Sequence, residues 1–331
     1  MGGDTYPDGR PAAHLRMEAE DHGIVMRSGG GPGNCDAEGA RDPWLFEADG
    51  TYYLHYDGTG PDGWLCCLAT SKDLVSWRKH GPILRLGAPG ELDSVAACYG
   101  TTYHAHGIWH MFYIGSPTAG APPDRVPGFP YVTMKAEADS PGGPWRKRGD
   151  VVPFRPRPRT YYSATASPGH IVERGGRYRM FFSASVCPPI RRTVSIARTN
   201  DLNAAWRLDP EPIVPLTEQI ENTSIYHEPA NGTWFLFTDH IGLEKGGPEY
   251  TDAVWVYWTK DLERWDAAQK AVVLDGRNCS WSERCVGQPT VLRIGDRLAI
   301  IYDAPGGGSI SHMRRHIGLA WLDLPLAPPD E

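Results

Sequence analysis

The sequence lacks the long apolar runs and the helical periodicity that are typical of membrane proteins and helical bundles. No apolar stretch approaches the ~18 residues that span a bilayer, and the first 20 residues contain no apolar core of the signal-peptide type. No window keeps an apolar 3.6-residue period over about ten positions, so long helices are not expected. We therefore expect a soluble, cytoplasmic protein without a membrane partner.

Cysteine and basic residues are also too sparse or too scattered for several kinds of site. The seven cysteines form no Cys-x-x-Cys pair, so zinc is not expected. Cys279 and Cys285 could bridge in an exported protein, but buried free thiols are the favoured interpretation. No oxygen-rich Asp-x-Asp-x-Asp run occurs, and we predict no metal and no cofactor. With 22% charged residues and a net charge of −7, the composition indicates no basic face for nucleic acid.

Aromatic residues and turn formers, in contrast, are abundant: 12 Trp, 15 Tyr, 38 Gly and 30 Pro indicate many short strands and turns. The clearest strand pair lies within Arg41–Gly58, where Trp44–Phe46 and Tyr52–Tyr56 flank an Asp-Gly turn. Pro43 has no N–H for a ladder, so it is expected at the first residues of a strand or on an edge. Asp42 is thereby placed at a strand entrance, where a turn-capping role is the alternative to a functional one.

The segment that follows this hairpin recurs in altered form. Ala69–Trp77 reads Ala-Thr-Ser-Lys-Asp-Leu-Val-Ser-Trp, and related segments end at Trp145, Trp206 and Trp265. The four closing tryptophans are 68, 61 and 59 residues apart, a spacing that indicates a repeat architecture. A hairpin precedes each tryptophan, a short extended run follows it, and a fifth hairpin occupies Pro289–Tyr302. We expect the repeated tryptophan to pack between repeats.

Five such four-stranded units predict an all-β fold, a single-domain β-propeller of five blades. The fifth unit has only three strands of its own, but His22–Met26 resembles His80–Leu84, the fourth strand of the first unit. We predict that the N-terminal strand completes the last blade and leaves no open edge. The predicted segments within residues 1–331 are an N-terminal closure at 1–34 and blades at approximately 41–90, 91–155, 160–216, 220–276 and 285–326.

Long connections are predicted between the second and third strands of each unit. Long loops in a compact domain usually carry function. The five connections are Asp57–Trp64, Gly115–Pro130, Val186–Arg192, His240–Asp252 and Asp303–Arg314.

The innermost strands of a propeller start around one central channel, so their first residues face a common cavity. Reading each unit in register with the first gives the entrance residues Asp42, Tyr99, Ser167, Glu221 and Gln288, with a loose register in the fourth unit.

These features resemble the five-bladed glycoside hydrolases of families 43, 32, 62 and 117. The Asp-Pro of the first blade, a Glu at the start of the fourth, and the Asp-Gly-Thr-Tyr-Tyr-Leu hairpin with its closing segment carry the resemblance. It implies an exo-acting, inverting hydrolase of a terminal sugar, of the arabinofuranosidase or xylosidase kind. In family 43 the first-blade Asp is the general base and the fourth-blade Glu the general acid, which by position are Asp42 and Glu221. Two such carboxyl groups with different pKa values are what glycoside cleavage requires.

Two departures from family 43 affect the acid. Glu221 is followed by Asn222 and Thr223 instead of Gly-Pro, and the third-blade Asp that tunes the acid falls on Ser167. Asp93 is our candidate for the tuning role, with Asp36 and Glu38 as others. In family 117 a His is thought to replace the acid, and the corresponding candidates are His170, His227, His240, His312 and His316.

The remaining candidates would contact a carbohydrate substrate. Arg41 is predicted either to steady a substrate hydroxyl or to pair with Asp42, and Trp281, in a loop, to stack on a sugar ring. His312, with the basic residues 314–316, would meet an acidic or sulfated sugar or form a solvated edge. Ser167, His170 and Gln288 complete the predicted substrate-binding set. The alternative function is a non-hydrolytic carbohydrate-binding protein, or an enzyme of other chemistry, on the same scaffold.

Overall fold

A computed structural model describes residues 5–122, 124–244 and 249–330. Within these ranges the regular elements are β-strands and two single-turn 3-10 helices, Pro32–Asn34 and Leu216–Glu218. The all-β class predicted from the sequence is confirmed. None of the helices in the described ranges has the length and apolar character needed to cross a bilayer.

The N-terminal segment contributes two strands, β1 (Leu15–Arg16) and β2 (Glu20–Met26). The strands that follow form antiparallel meanders, numbered one to five along the chain. The first contains β3 (Gly39–Ala48), β4 (Thr51–Gly60), β5 (Gly63–Ser71) and β6 (Trp77–Pro82); the second β7 (Ala96–Ala105), β8 (Ile108–Ser116), β9 (Val132–Ala138) and β10 (Arg146–Lys147). The third contains β11 (Thr165–Arg174), β12 (Arg177–Val186), β13 (Arg191–Thr199) and β14 (Arg207–Leu208); the fourth β15 (Ile220–Glu228), β16 (Thr233–Leu243), β17 (Glu249–Thr259) and β18 (Lys270–Asp275); the fifth β19 (Gly287–Ile294), β20 (Arg297–Ala304) and β21 (His316–Asp323).

The two N-terminal strands join meanders from the far end of the chain. β2 pairs antiparallel with β21, so the fifth meander receives its fourth strand from the N-terminus. β1 pairs parallel with β18 and extends the fourth meander. A two-residue parallel contact between β5 and β7 joins the first two meanders into one eight-stranded sheet.

Tight turns set the register of the meanders. In the first hairpin, Asp49 and Gly50 both have positive φ, 49° and 67°. This is the backbone that a two-residue type I′ turn requires, and Asp-Gly adopts it readily. His106 and Gly107, at 52° and 76°, form the corresponding turn of the second meander.

The repeated tryptophans pack against the preceding meander, as the sequence predicted. Three of them meet an aromatic ring edge-on, and Trp77 joins an apolar cluster that includes Ile301 of the fifth meander. The ring pairs are Trp145 with His55 at 5.6 Å, Trp206 with Phe112 at 5.5 Å and Trp265 with Phe181 at 6.0 Å between centroids.

A β-bulge interrupts the first strand of every meander at the same place. In β3 the register shifts between Arg41 and Trp44, so Asp42 and Pro43 form the bulge inside the strand, not at its first residues as expected. A bulge tolerates proline because its N–H is not needed there. The first bulge residues of the five meanders are Asp42, Tyr99, Pro168, Asn222 and Gln288. The predicted register is therefore wrong by one residue for Ser167 and Glu221, which occupy the position of Arg41.

Side chains of the second strands join neighbouring meanders at these bulges. In four of the five cases, a side chain of the second strand accepts the backbone N–H of the first bulge residue in the next meander. These four bulge residues have φ between 51° and 59°. The third bulge is the exception, because Pro168 has no N–H and Ile114, at the acceptor position, has no polar atom. The bonds run from Tyr99 N to Asp57 Oδ1 (2.6 Å), from Asn222 N to Ser183 Oγ (2.7 Å), from Gln288 N to Asp239 Oδ1 and from Asp42 N to Asp303 Oδ2 (2.7 Å).

Candidate active site

A cavity of about 340 Å³ lies at the end of the sheets where the bulges occur. Bulge residues and their neighbours from the first four meanders line it, including Asp42, Tyr99, Ser167 and Glu221. Each of the five long connections predicted from the sequence also contributes a side chain. These are Trp64, Phe129, Arg192, Glu249 and His312.

Asp42 is held by its neighbour Arg41. The guanidinium donates from Nε to Asp42 Oδ2 at 2.7 Å and from Nη2 to Oδ1 at 3.2 Å. Arg41 also donates to the carbonyl oxygen of His312 at 3.2 Å and lies over the Trp64 ring at 4.7 Å from its centroid. The pairing of Arg41 with Asp42, one of the two predicted roles, is therefore present, and it fixes the orientation of the carboxylate.

Asp57 is a second carboxyl group beside Asp42, and it is not among the site residues predicted from the sequence. It faces Arg41 across the first hairpin. Its Oδ1 accepts the Tyr99 N–H, while its buried Oδ2 has no donor among the described residues. Burial, and then the nearby charge of Asp42, raise the pKa of Asp57 well above its ordinary value.

Glu221 belongs to a bridge of three charged side chains. Arg192 donates from Nη1 to Glu221 Oε2, and from Nη2 to Glu249 Oε2 at 2.9 Å. Burial raises the pKa of Glu221; Arg192 opposes the rise, whereas Glu249 and Asp42 add to it. A carboxyl group with a raised pKa keeps its proton nearer neutrality, as a general acid must.

Aromatic and apolar groups form another part of the wall. Tyr131 donates its hydroxyl to the Pro127 carbonyl at 2.8 Å, and burial raises the pKa of both Tyr99 and Tyr131. Phe129 is among the few large apolar side chains that are exposed. A cavity with apolar sides and a few convergent polar groups suits a small polar ligand such as a sugar ring.

His312 lines the cavity, but it is not part of a basic cluster. Burial, followed by the charges of Arg41, Arg315 and Arg192, lowers the pKa of His312 to about 3, so the ring is neutral near pH 7. Arg315 is fully buried and donates to Asp303 Oδ1 at 2.5 Å. The basic residues near His312 therefore do not act together on a ligand.

Two of the predicted site residues lie elsewhere. His170 accepts the Ile225 N–H at 3.2 Å and packs edge-on against Trp44 at 5.4 Å; burial lowers its pKa to about 4. Trp281 donates its indole N–H to the Tyr302 hydroxyl at 2.7 Å and does not line the cavity. Neither lines the cavity, and His312 is the one His of the five candidates for the acid that the cavity includes.

Asp93 and Gln288 are also absent from the cavity lining. Asp93 is buried, where it accepts hydrogen bonds from the Tyr113 hydroxyl at 2.7 Å and from Lys147 at 2.6 Å. Gln288 is buried and accepts a hydrogen bond from Asn222 Nδ2. Asp36 and Glu38, the other carboxylates considered for the tuning role, do not line the cavity either. Glu249, and not Asp93, shares the Arg192 guanidinium with Glu221, the predicted acid.

The fold is that of β-propeller glycoside hydrolases, so the predicted resemblance is confirmed at the level of fold. No protein-family model matches the chain. The chain is similar to an endo-arabinase from Bacteroides thetaiotaomicron VPI-5482, with a TM-score of 0.63 and 16% identity over 94% of this chain and 99% of that one. It is likewise similar to a family 117 glycoside hydrolase of the marine bacterium Zobellia galactanivorans (TM-score 0.62, 14% identity, 94% and 91% covered) and to a thermostable family-43 glycoside hydrolase (TM-score 0.63, 12% identity, 89% and 95% covered).

A curated relative matches only a short part of the chain. It is a 1,2-beta-oligomannan phosphorylase from Thermoanaerobacter sp. (strain X514), 40% identical over 52 residues. The match covers 15% of this chain and 18% of the relative.

Proposed function

We propose that the protein is a glycoside hydrolase of the family 43 kind, with Asp42 as general base and Glu221 as general acid. One observation carries the proposal: these two carboxyl groups, from the first and the fourth meander, line the same cavity. Cleavage of a glycosidic bond requires one group that activates water and one that protonates the leaving oxygen.

The proposed reaction proceeds with inversion. Asp42 takes a proton from a water molecule whose oxygen forms the new bond to the anomeric carbon. As the glycosidic bond breaks, Glu221 gives its proton to the leaving oxygen, and both carboxyl groups then return to their starting states by proton exchange with solvent. Arg41 orients the base, and the Arg192–Glu249 pair orients the acid.

We further propose that the substrate is the terminal sugar of a chain, of the arabinofuranose or xylose type. Side chains from all five long connections surround a cavity of about 340 Å³, near the lower end of the range for small-molecule sites. A cavity of this size favours one or two sugar units over an extended chain. The five meanders would be the blades of a single-domain propeller, and the β2–β21 pairing supports its closure by the N-terminal strand.

Phosphorolysis is a second candidate, since the short curated match is to a phosphorylase. Phosphate would need a free cationic group in the cavity. Arg41 and Arg192 are already paired with Asp42, Glu221 and Glu249, and His312 is neutral near pH 7. The charge distribution therefore favours water as the nucleophile.

One observation favours a non-hydrolytic, carbohydrate-binding protein instead. The third meander has Ser167 and Pro168 where family 43 enzymes have an Asp.

The test compares leaving groups in two variants. Aryl glycosides, α-L-arabinofuranosides first, are supplied with and without inorganic phosphate. Asp42→Asn should abolish hydrolysis of every aryl substrate. Glu221→Gln should spare substrates with an activated phenol, which need no protonation, and lose the others. The proposal would be contradicted if both variants kept full activity on all substrates, or if the wild type formed a sugar 1-phosphate in the presence of phosphate.

A further inference from the structure

Positive charge is concentrated in one part of this acidic protein. Residues 155–209 contain ten arginines and only three carboxylates, an excess of seven positive charges. The whole chain carries −7, so the remainder carries −14. This segment includes the whole third meander, and six of its ten arginines lie at one end of it. A local excess of one charge favours ligands of the opposite charge.

Six of these arginines surround two adjoining depressions of about 360 and 350 Å³, which we call the basic groove. Arg207 lines both depressions, so they share a wall. The floor of the first contains Phe154, Tyr162 and Trp206, all buried. The six arginines of the groove are Arg155, Arg157, Arg177, Arg179, Arg198 and Arg207.

The basic groove lies at the opposite end of the third meander from the cavity. Strand β13 begins at Arg191, lines the cavity with Arg192 and reaches the groove at Arg198. Six residues of extended strand span about 20 Å. A ligand in the groove therefore does not occupy the proposed catalytic site.

The arginines of the groove differ in what they contact. Arg179 pairs with Glu263, and Arg198 pairs with Asp209 and Glu263, so these two are fixed in position. The other four are exposed and have no ion pair among the described residues: Arg155, Arg157, Arg177 and Arg207. Free guanidinium groups beside fixed ones present several forks of N–H donors, which suit carboxylate or sulfate groups bidentately.

We propose that the basic groove binds an anionic polysaccharide, through its carboxylate or sulfate groups, at a site separate from the cavity. This inference rests on the proposed function, because it makes the groove an attachment site for the polymer whose terminal sugars are removed. Nucleic acid is disfavoured, since single-strand binding uses exposed aromatic rings for base stacking. The aromatic side chains of the groove are buried: Phe154, Tyr162, Tyr178 and Trp206.

Binding is measured directly, without reference to activity, by affinity electrophoresis of the full chain. The gels contain polygalacturonate, dextran sulfate or neutral dextran, and a single-stranded oligonucleotide is tested in solution. The variant Arg177→Glu/Arg207→Glu reverses the charge of two of the four groove arginines that have no ion pair among the described residues. The matched control, Arg78→Glu/Arg277→Glu, makes the same change of charge at exposed arginines outside the groove.

We expect one or both anionic glycans to retard the wild type, and neutral dextran to have no effect. The groove variant should bind about tenfold more weakly, the control variant about as well as the wild type, and salt should weaken binding. Retardation by polygalacturonate alone would identify carboxylate as the group that is bound. Retardation by dextran sulfate alone would identify sulfate. Equal weakening in both variants, tighter binding of the oligonucleotide, or no binding would overturn the proposal. Asp42→Asn should bind the anionic glycans as tightly as the wild type does. Glycan binding and hydrolysis are therefore tested independently, and either proposal can fail without the other.

Discussion

Asp303, in the fifth meander, accepts the backbone N–H of Asp42, in the first, at 2.7 Å. Its other oxygen accepts from Arg315 at 2.5 Å, and both side chains of this ion pair are fully buried. Asp42 has a φ of 51°, a conformation that costs a non-glycine residue about 1–3 kcal/mol. One carboxylate thus holds the last meander to the first and supports the strained backbone of the proposed base.

Removing this carboxylate should destabilise the protein strongly. Asp303→Ala leaves Arg315 buried without its partner, for which we expect a loss of about 3–5 kcal/mol in the free energy of unfolding. Asp303→Asn keeps an acceptor for the Asp42 N–H and should lose less. Urea denaturation measures both. The control is Asp323→Asn, an exposed partner of Arg297, with an expected change of about 0.5 kcal/mol or less. A similar loss in Asp303→Ala and the control would contradict the role of Asp303.

The sequence predicted the repeats because turns and closing tryptophans are local signals. Predicting the register of the bulges also requires the length of each hairpin loop. Asp42 and Pro168 each lie eight residues before the second residue of a two-residue turn, Gly50 and Gly176. Asn222 lies ten before Gly232, because four residues, not two, separate β15 from β16. The count of eight that applies to Gly50 leads from Gly232 to Ser224, whereas the predicted Glu221 lies eleven residues before Gly232, so the position of the turn alone does not fix the register of the fourth meander.

Site residues could be predicted only where the pairing of two strands determines which side chains are neighbours. Asp57 could have been found from its position opposite Arg41 in the first hairpin. Arg192 and Glu249 lie within connections that the sequence marked as functional, but their contact depends on how two loops fold toward each other. Asp93 was expected near the acid because it precedes a strand, and nothing local shows that Lys147 and Tyr113 hold it elsewhere.

Asp57 should tolerate replacement by asparagine. Burial raises the pKa of Asp57 and so favours its protonated form, and the amide oxygen introduced by Asp57→Asn would still accept the Tyr99 N–H. An Asp whose pKa is raised in the folded state stabilises the protein fully only below its unfolded pKa of about 3.9, and that contribution is lost as pH rises through the folded value. The wild type should therefore lose stability relative to Asp57→Asn as pH rises from about 4.

Chemical denaturation of both proteins at several pH values measures this difference. Asp57→Leu is the comparison, because it removes the acceptor and leaves the Tyr99 N–H unsatisfied, with an expected cost of about 1–3 kcal/mol at every pH. A wild type that gains stability over Asp57→Asn with rising pH would show that Asp57 is ionised in the folded protein.

The bridge around Glu221 predicts two opposite pH shifts. Arg192 lowers the pKa of Glu221 and Glu249 raises it. Arg192→Met should therefore move the alkaline limb of kcat/KM to higher pH, because the acid keeps its proton longer. Glu249→Gln should move the same limb to lower pH. Both replacements alter the wall of the cavity and should slow the reaction, but a purely structural effect would not shift the limb in opposite directions.

Asp93 should affect stability without affecting catalysis. The side chain is buried and accepts from the Tyr113 hydroxyl and Lys147, so Asp93→Asn should cost about 1–3 kcal/mol in the free energy of unfolding. Because the carboxylate does not line the cavity, kcat/KM and its pH profile should match those of the wild type at a temperature where both are folded. Glu221→Gln provides the contrast, with an altered profile and less change in stability. A shifted alkaline limb in Asp93→Asn would restore it as the group that tunes the acid.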